Sequence, residues 1–215
     1  MADKKAEVRD LSYVDGRIEL RADADGNKMI TGEAIVYERE SNPIYGYYIE
    51  VIKRGALDDA DISRVVARTN HDDGVLLGTT WAGTLRLTDS PSALRYEVDI
   101  PDTTAGRDTE VYMQRGDIAG SSFAFTVAED NWIDRSADKM LPIREITKID
   151  HLYDVSPVIN PAYPDASSAL RHLNDWEEAE KAKADKTKAE QTRKEEIKAE
   201  SKTLAAIHKH KNITR

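Results

Sequence analysis

Apolar positions in the first three quarters of the chain recur every second residue, in short runs. Ile18-Glu19-Leu20-Arg21 alternates, Ala24-Asp25-Gly26-Asn27 supplies turn residues, and Met29 to Tyr37 resumes the extended pattern. Together these predict a hairpin from Ile18 to Val36. Gly32 interrupts the second strand and marks a bulge or a close backbone approach. Strands are likewise predicted at Tyr47–Ile52, Val65–Thr69, Gly83–Thr88 and Leu94–Ile100, with Asp89-Ser90-Pro91-Ser92 as a turn between the last two. Arg54-Gly55-Ala56-Leu57 reads as the start of a short helix. A second helix is predicted from Thr104 to Arg115, after Pro101 and ended by Gly116. Ile118 to Ala128 is the most apolar stretch of the middle region. It carries the chain's two phenylalanines, Phe123 and Phe125, whose spacing puts both rings on one face of a strand and Ser122 and Ala124 on the other. Ile143–Ile149 and Leu152–Val158 alternate again, before the proline-rich Asn160–Pro164. Alternation rather than continuous apolar runs predicts antiparallel pairing, open or closed into a barrel, over a doubly wound parallel sheet.

The pattern changes near residue 172. From Trp176 to Ile207 Ala, Glu and Lys dominate, with neither Gly nor Pro, and Glu177/Lys181 and Glu190/Lys194 are helical pairs in the favourable order. Apolar residues recur only at the two ends, at Leu170, Leu173 and Trp176 and then at Ile197, Leu204 and Ile207. A coiled coil, a solvated single helix and a partly disordered arm are all compatible with that pattern. The division predicted is a mainly β body with short helices over 1–171 and a charged helical tail over 172–215.

Charge sharpens the same boundary. Residues 1–171 hold 31 acidic and 20 basic side chains, whereas residues 172–215 hold 9 and 11. An acidic body repels a phosphate backbone, which argues against general nucleic-acid binding. No 18-residue apolar stretch predicts a membrane span, and Met1-Ala2-Asp3-Lys4-Lys5 leads into no signal-peptide core. Cysteine is absent, which removes disulfides, thiolate nucleophiles and Cys-ligated metals.

Of the five histidines, His208 and His210 sit in the basic terminus and His172 at the junction, which leaves His71 and His151 in the body as candidate bases. His71 is predicted at a strand end, flanked by Asn70, Asp72 and Asp73, where loops commonly carry catalytic groups or simple solvent-facing turns. Ser122 lies two residues after Gly120 on the strand anchored by two rings, the support a nucleophile needs, though a packed strand serine looks the same. Asp154 can orient a histidine or be a surface acid, and His151 competes for that role. His71, Asp72 and Asp73 form a weak metal candidate, because adjacent residues in an extended segment diverge. No metal-ligand motif or phosphate loop is present, and no metal or cofactor is expected.

Five segments, taken in order, resemble the HK97-type prohead proteases, serine peptidases of tailed phages. They are Ile30-Thr31-Gly32-Glu33-Ala34, Gly55-Ala56-Leu57, Asn70-His71-Asp72 with Leu77-Gly78-Thr79, Gly120-Ser121-Ser122-Phe123-Ala124-Phe125, and Leu152–Val158 ending in Pro161-Ala162-Tyr163. The resemblance implies Ser122, not Ser121, as nucleophile, His71 as general base and Asp154 as third member, at a position where the family most often carries Glu. It implies an assemblin-like fold, a mostly antiparallel barrel surrounded by helices. Assemblins use a histidine as third member, which keeps His151 as the alternative, and by the same analogy Arg144 is a candidate contributor to oxyanion stabilisation. Implied, too, are acyl-enzyme proteolysis inside the procapsid, in the host bacterial cytoplasm, and the major capsid protein, a scaffold and the enzyme itself as substrates, with self-association left open. The chief rival is a non-enzymatic assembly or scaffolding protein, and a metal hydrolase centred on His71 and Asp72 is a distant third.

Overall fold

The computed structural model describes residues 6–11, 18–23, 26–159 and 166–211, which form two compact units, Met1–Ala169 and Leu170–Arg215. The first is mainly β. The predicted hairpin is present as β2 (Ile18–Ala22) and β3 (Lys28–Val36), paired antiparallel with Leu20 opposite Ile30. Residues 24–25 of its turn lie outside the described residues. In addition to those already expected, the body holds β1 (Glu7–Leu11) ahead of the hairpin. Then follow β4 (Ile49–Ile52), β5 (Val66–Arg68), β6 (Leu76–Thr79), β7 (Leu85–Asp89), β8 (Ala93–Asp99), β9 (Gly120–Ile133) and β10 (Ile143–Val158).

These strands make two sheets and not the closed barrel expected from the resemblance. One runs β2-β3-β8-β7, all antiparallel. The other runs β1-β9-β10-β5-β6, with β4 also on β10. Two of its pairings, β10 with β4 and β10 with β5, are parallel, so antiparallel order is not universal. The reason lies in the length of β10. Its 16 residues offer an edge that β4 occupies at Ile143–Ile146 and β5 at Asp154–Val155, with a single bridge from Asp61 to His151 between them. Its other edge pairs with β9 through several register shifts, which absorb the two alternating segments into one bent strand.

The core lies between the sheets. Ile30, Ile35, Leu94, Tyr96 and Val98 from one meet Phe123, Phe125, Ile146, Ile149, Leu152 and Val155 from the other. Phe123 and Phe125 do share a face, their rings stacked with centroids 5.0 Å apart. Gly32 is a close approach: a Cβ there would stand 2.6 Å from the Tyr96 ring. Arg54–Leu57 forms hydrogen-bonded turns and not a helix, because Gly55 adopts φ 82° and breaks the run. The second helix, α1 (Thr104–Arg115), starts three residues beyond Pro101. Thr103 caps it by accepting from the Gly106 backbone N–H, and Gly116 closes it at φ 81°.

The second unit is the helix α2, which spans Ala166–Lys211 and so begins in the body's last residues. From Glu177 to Lys194 every residue is exposed, as a polar helix with alanine in its middle must be. The Glu190–Lys194 pair forms at 2.8 Å. No helix among the described residues is long and apolar enough to cross a membrane.

Candidate active site

Three segments far apart in sequence meet on the six-stranded sheet. β5 runs parallel to β10 and ends in a tight turn, Thr69–His71, that carries His71 over the sheet. The turn is specified locally. Asn70 and His71 take φ 54° and 57°, left-handed values that Asn and His tolerate better than most residues. Asn70 Oδ1 accepts from the Ile159 backbone N–H at 3.0 Å, which ties the turn to the end of β10. Thr69 Oγ1 meets Thr109 Oγ1 of α1 at 2.8 Å in a buried contact. Ser122 on β9 stands directly across from Ser156 on β10, and Asp154 across from Ala124. Asp154 and Ser156, two apart on one strand, point to the same face and meet the imidazole there.

The result is a continuous polar chain. His71 Nε2 lies 2.6 Å from Ser122 Oγ, and His71 Nδ1 lies 2.7 Å from Asp154 Oδ1. Burial pushes the Asp154 pKa up, but the hydrogen bond and charge of His71 and those of Arg68 together outweigh it. The carboxyl therefore titrates below its usual range. An ionised carboxylate can only accept, so Nδ1 carries the ring proton and Nε2 is free to take one from Ser122. Two residues not anticipated from the sequence complete the arrangement. Arg68 donates its Nε–H to Asp154 Oδ2 at 3.0 Å and pairs through its other nitrogens with Asp154 and Asp73. Ser156 Oγ lies 3.2 Å from both Asp154 Oδ1 and His71 Nδ1. Asp154, Ser122 and Ser156 are fully buried.

The structure places the other candidate residues elsewhere. His151 is half-buried, stacks on Tyr153, and faces Asp61 at 3.5 Å and Asp150 at 3.2 Å. The structure brings Asp154 to His71 and leaves His151 outside. Ser121, beside the nucleophile candidate, donates to the Tyr96 hydroxyl at 3.4 Å, within the core that Gly32 opens for that ring. Asp72 turns its carboxylate to the Gly74 backbone N–H at 2.8 Å and does not join His71. No group of His, Asp and Glu that could hold a metal occurs among the described residues. Arg144 lies away from Ser122. It lies near the opposite end of β10, in a buried cluster where it meets Glu7 at 2.8 Å, Glu50 at 3.3 Å and Asp130 at 2.7 Å. Arg9 completes that cluster with Glu50 at 2.6 Å and Glu7 at 2.5 Å. The segment Pro161-Ala162-Tyr163 lies outside the described residues.

Arg68 is the support on which a first test turns. Arg68→Met leaves a fully buried carboxylate with one cationic partner fewer, and is expected to destabilise the fold by about 3 kcal/mol. The penalty should depend on pH with a definite sign. Asp154 is depressed in the folded protein, so its contribution is full above the ordinary carboxylate range and is lost as pH falls through its folded pKa. Thermal unfolding of both chains across acidic pH should therefore show the gap between them closing toward low pH. A gap that does not change with pH would mean that the guanidinium contributes packing alone.

Among solved structures, the capsid assembly protease of bacteriophage T4 is similar at 12% identity with a TM-score of 0.47, over 74% of this chain and 99% of that one. No curated protein sequence matches the chain. The model of the family described as caudovirus prohead serine protease matches residues 16–182, a span that holds His71, Ser122 and Asp154, and the chain belongs to that family.

Proposed function

We propose that this protein is a serine endopeptidase of phage head maturation, in which Ser122 is the nucleophile, His71 the general base and Asp154 the group that orients it. The observation that carries the reading is the unbroken chain from Ser122 Oγ through both ring nitrogens of His71 to Asp154, each link within 2.7 Å. Such a chain solves a specific problem, since a neutral serine hydroxyl is a poor nucleophile until a base accepts its proton. Ser122 Oγ attacks the scissile carbonyl carbon as its proton passes to His71 Nε2, and the imidazolium is stabilised by ionised Asp154. The tetrahedral intermediate collapses with transfer of that proton to the leaving amine, which releases one peptide and leaves an acyl ester on Ser122. Water then attacks the ester with His71 again as base, releasing the acid and restoring the hydroxyl. The one-methylene difference from the family's usual Glu is no obstacle, because Asp154 reaches Nδ1 without it.

The substrates that fit the family are the scaffold or the scaffold-like arm of the major capsid protein, and the protease itself, inside the procapsid in the bacterial cytoplasm. The test is co-expression with the cognate capsid protein, with intact mass read for wild type and Ser122→Ala. Shortened capsid protein with the first and full-length with the second supports the reading. Full-length capsid protein with both would support an inactive assembly protein instead.

The helical tail fits a role in delivery and not in hydrolysis. The three site residues lie in the first unit, and α2 from Glu177 to Lys194 is exposed at every residue and carries no apolar side chain larger than alanine. A chain lacking residues 176–215 is expected to cut soluble capsid protein in trans at the full chain's rate, yet to be packaged in fewer copies per procapsid. A folded truncated chain unable to cut in trans would make the tail part of the catalytic unit.

A further inference from the structure

The nucleophile candidate is covered by the chain's own N-terminal strand. β1 is the edge strand of the six-stranded sheet and runs antiparallel to β9, with Glu7 opposite Phe125, Arg9 opposite Phe123 and Asp10 opposite Ser122. The Arg9 backbone carbonyl lies 3.0 Å from Ser122 Oγ and accepts its proton. Ser122 has one proton and two acceptors, Arg9 O and His71 Nε2, so β1 competes directly with the base. It also occupies the edge of β9 beside Ser122, to which another extended peptide would add.

Three features mark β1 as an occupant of the sheet and not a structural member of it. Glu7, Val8 and Arg9 are not members of the apolar core, and Arg9 reaches it only through its guanidinium, 5.7 Å from the Phe125 ring centroid. The buried side chains of Glu7 and Arg9 carry opposite charges. Were they to leave together, Arg144 would keep Glu50 and Asp130, so no cation would be orphaned in the interior. Finally, the family match begins at residue 16, beyond β1. With β1 gone, β9 would present a row of unpaired backbone groups beside Ser122, the surface to which an extended peptide adds as a strand.

We propose that this edge of β9 is the binding track for an extended peptide substrate, and that Glu7–Leu11 is its resident occupant, so that Ser122 serves a peptide in trans only after β1 has left. The proposal rests on Ser122 being the nucleophile. The expected gain on removing β1 follows from population: if the open form is about 1–10% of molecules, removal raises the rate about 10- to 100-fold.

Because the chain has no cysteine, a single disulfide can lock β1 in place. Val8 and Ala124 are direct cross-strand partners, which brings their Cβ atoms near bonding range. In the full chain carrying Val8→Cys and Ala124→Cys, labelling of Ser122 by a fluorophosphonate is read by intact mass before and after reduction. The oxidised form should resist labelling and the reduced form should react. A chain lacking residues 1–11 should label faster than wild type by the factor above, and a synthetic peptide spanning Ala6–Leu11 should slow it again. Should the shortened chain not fold, the locked and reduced forms decide alone. Equal labelling of locked and reduced forms would overturn the proposal while leaving the serine mechanism standing. No labelling of Ser122 in any form would remove the mechanism and the proposal with it.

Discussion

Ser122→Ala is expected to eliminate proteolysis of the capsid protein, lowering the rate by on the order of 10⁴-fold or more, since removal of one member of such a set leaves only the residual catalysis of binding and oxyanion stabilisation. The fold should survive. The hydroxyl makes two hydrogen bonds, to His71 and to the Arg9 carbonyl, and its loss from a packed strand position amounts to about 1 kcal/mol for each. The ring stays held at Nδ1 by Asp154 and Ser156 while Nε2 gives up its serine contact, and the Arg9 carbonyl can find a new donor through movement of β1. Ser121→Ala is the matched control, because that side chain points at Tyr96 and touches neither His71 nor Asp154. The measurement is capsid-protein cleavage by intact mass, beside thermal unfolding of both variants. Cleavage by the Ser122 variant at the wild-type rate would end the nucleophile assignment. Equal loss in both variants would point to disruption of β9 as the cause.

How far the sequence discloses this site depends on the range of the interactions involved. α1 was legible because its signals are local: Pro101 ahead of its first turn and Gly116 at its end. The shared face of Phe123 and Phe125 follows from a two-residue period and needs no knowledge of what packs on it. The approach of residues 71, 122 and 154 is a different matter. It depends on β10 carrying β9 on one edge and β5 on the other, a pairing that no local pattern encodes. Each residue alone read as an ordinary turn histidine, strand serine or surface acid, and only resemblance joined them. Arg68 and Ser156 were missed, though a signal existed for Ser156, which must share a face with Asp154 wherever the strand is regular. β1 was missed because its burial runs against hydrophobicity: Glu7 and Arg9 face inward to partners on β4 and β10. Barrel closure failed as an expectation for a similar reason. Alternation specifies which face of a strand is buried, and it leaves open whether the sheets join at their edges.

Asp154→Asn is expected to lower the chemical step by about four orders of magnitude while leaving the shape of the site intact. The carboxylate and the amide are nearly isosteric, so packing around this fully buried side chain should be unchanged. What changes is the direction of a proton. Ionised Asp154 can only accept, and it holds the imidazole with hydrogen on Nδ1 and a lone pair on Nε2 toward Ser122. The amide can also donate, and a donated hydrogen at Nδ1 places the ring proton on Nε2, where it cannot take one from serine. The amide further fails to stabilise the imidazolium, and it leaves Arg68 facing a neutral group in place of its buried counter-ion. Asp154→Glu restores the charge and matches the side chain usual in the family. It should recover much of the rate, less whatever about 1–3 kcal/mol of overpacking displaces. His151→Ala, by contrast, removes a half-buried ring paired with Asp61 and Asp150, away from His71, and should leave the rate near that of wild type. Rates of fluorophosphonate labelling and of capsid-protein cleavage for the three variants separate the assignments. A crippled His151→Ala beside an active Asp154→Asn would transfer the orienting role to His151, against the 2.7 Å contact between His71 and Asp154 from which the present assignment is argued.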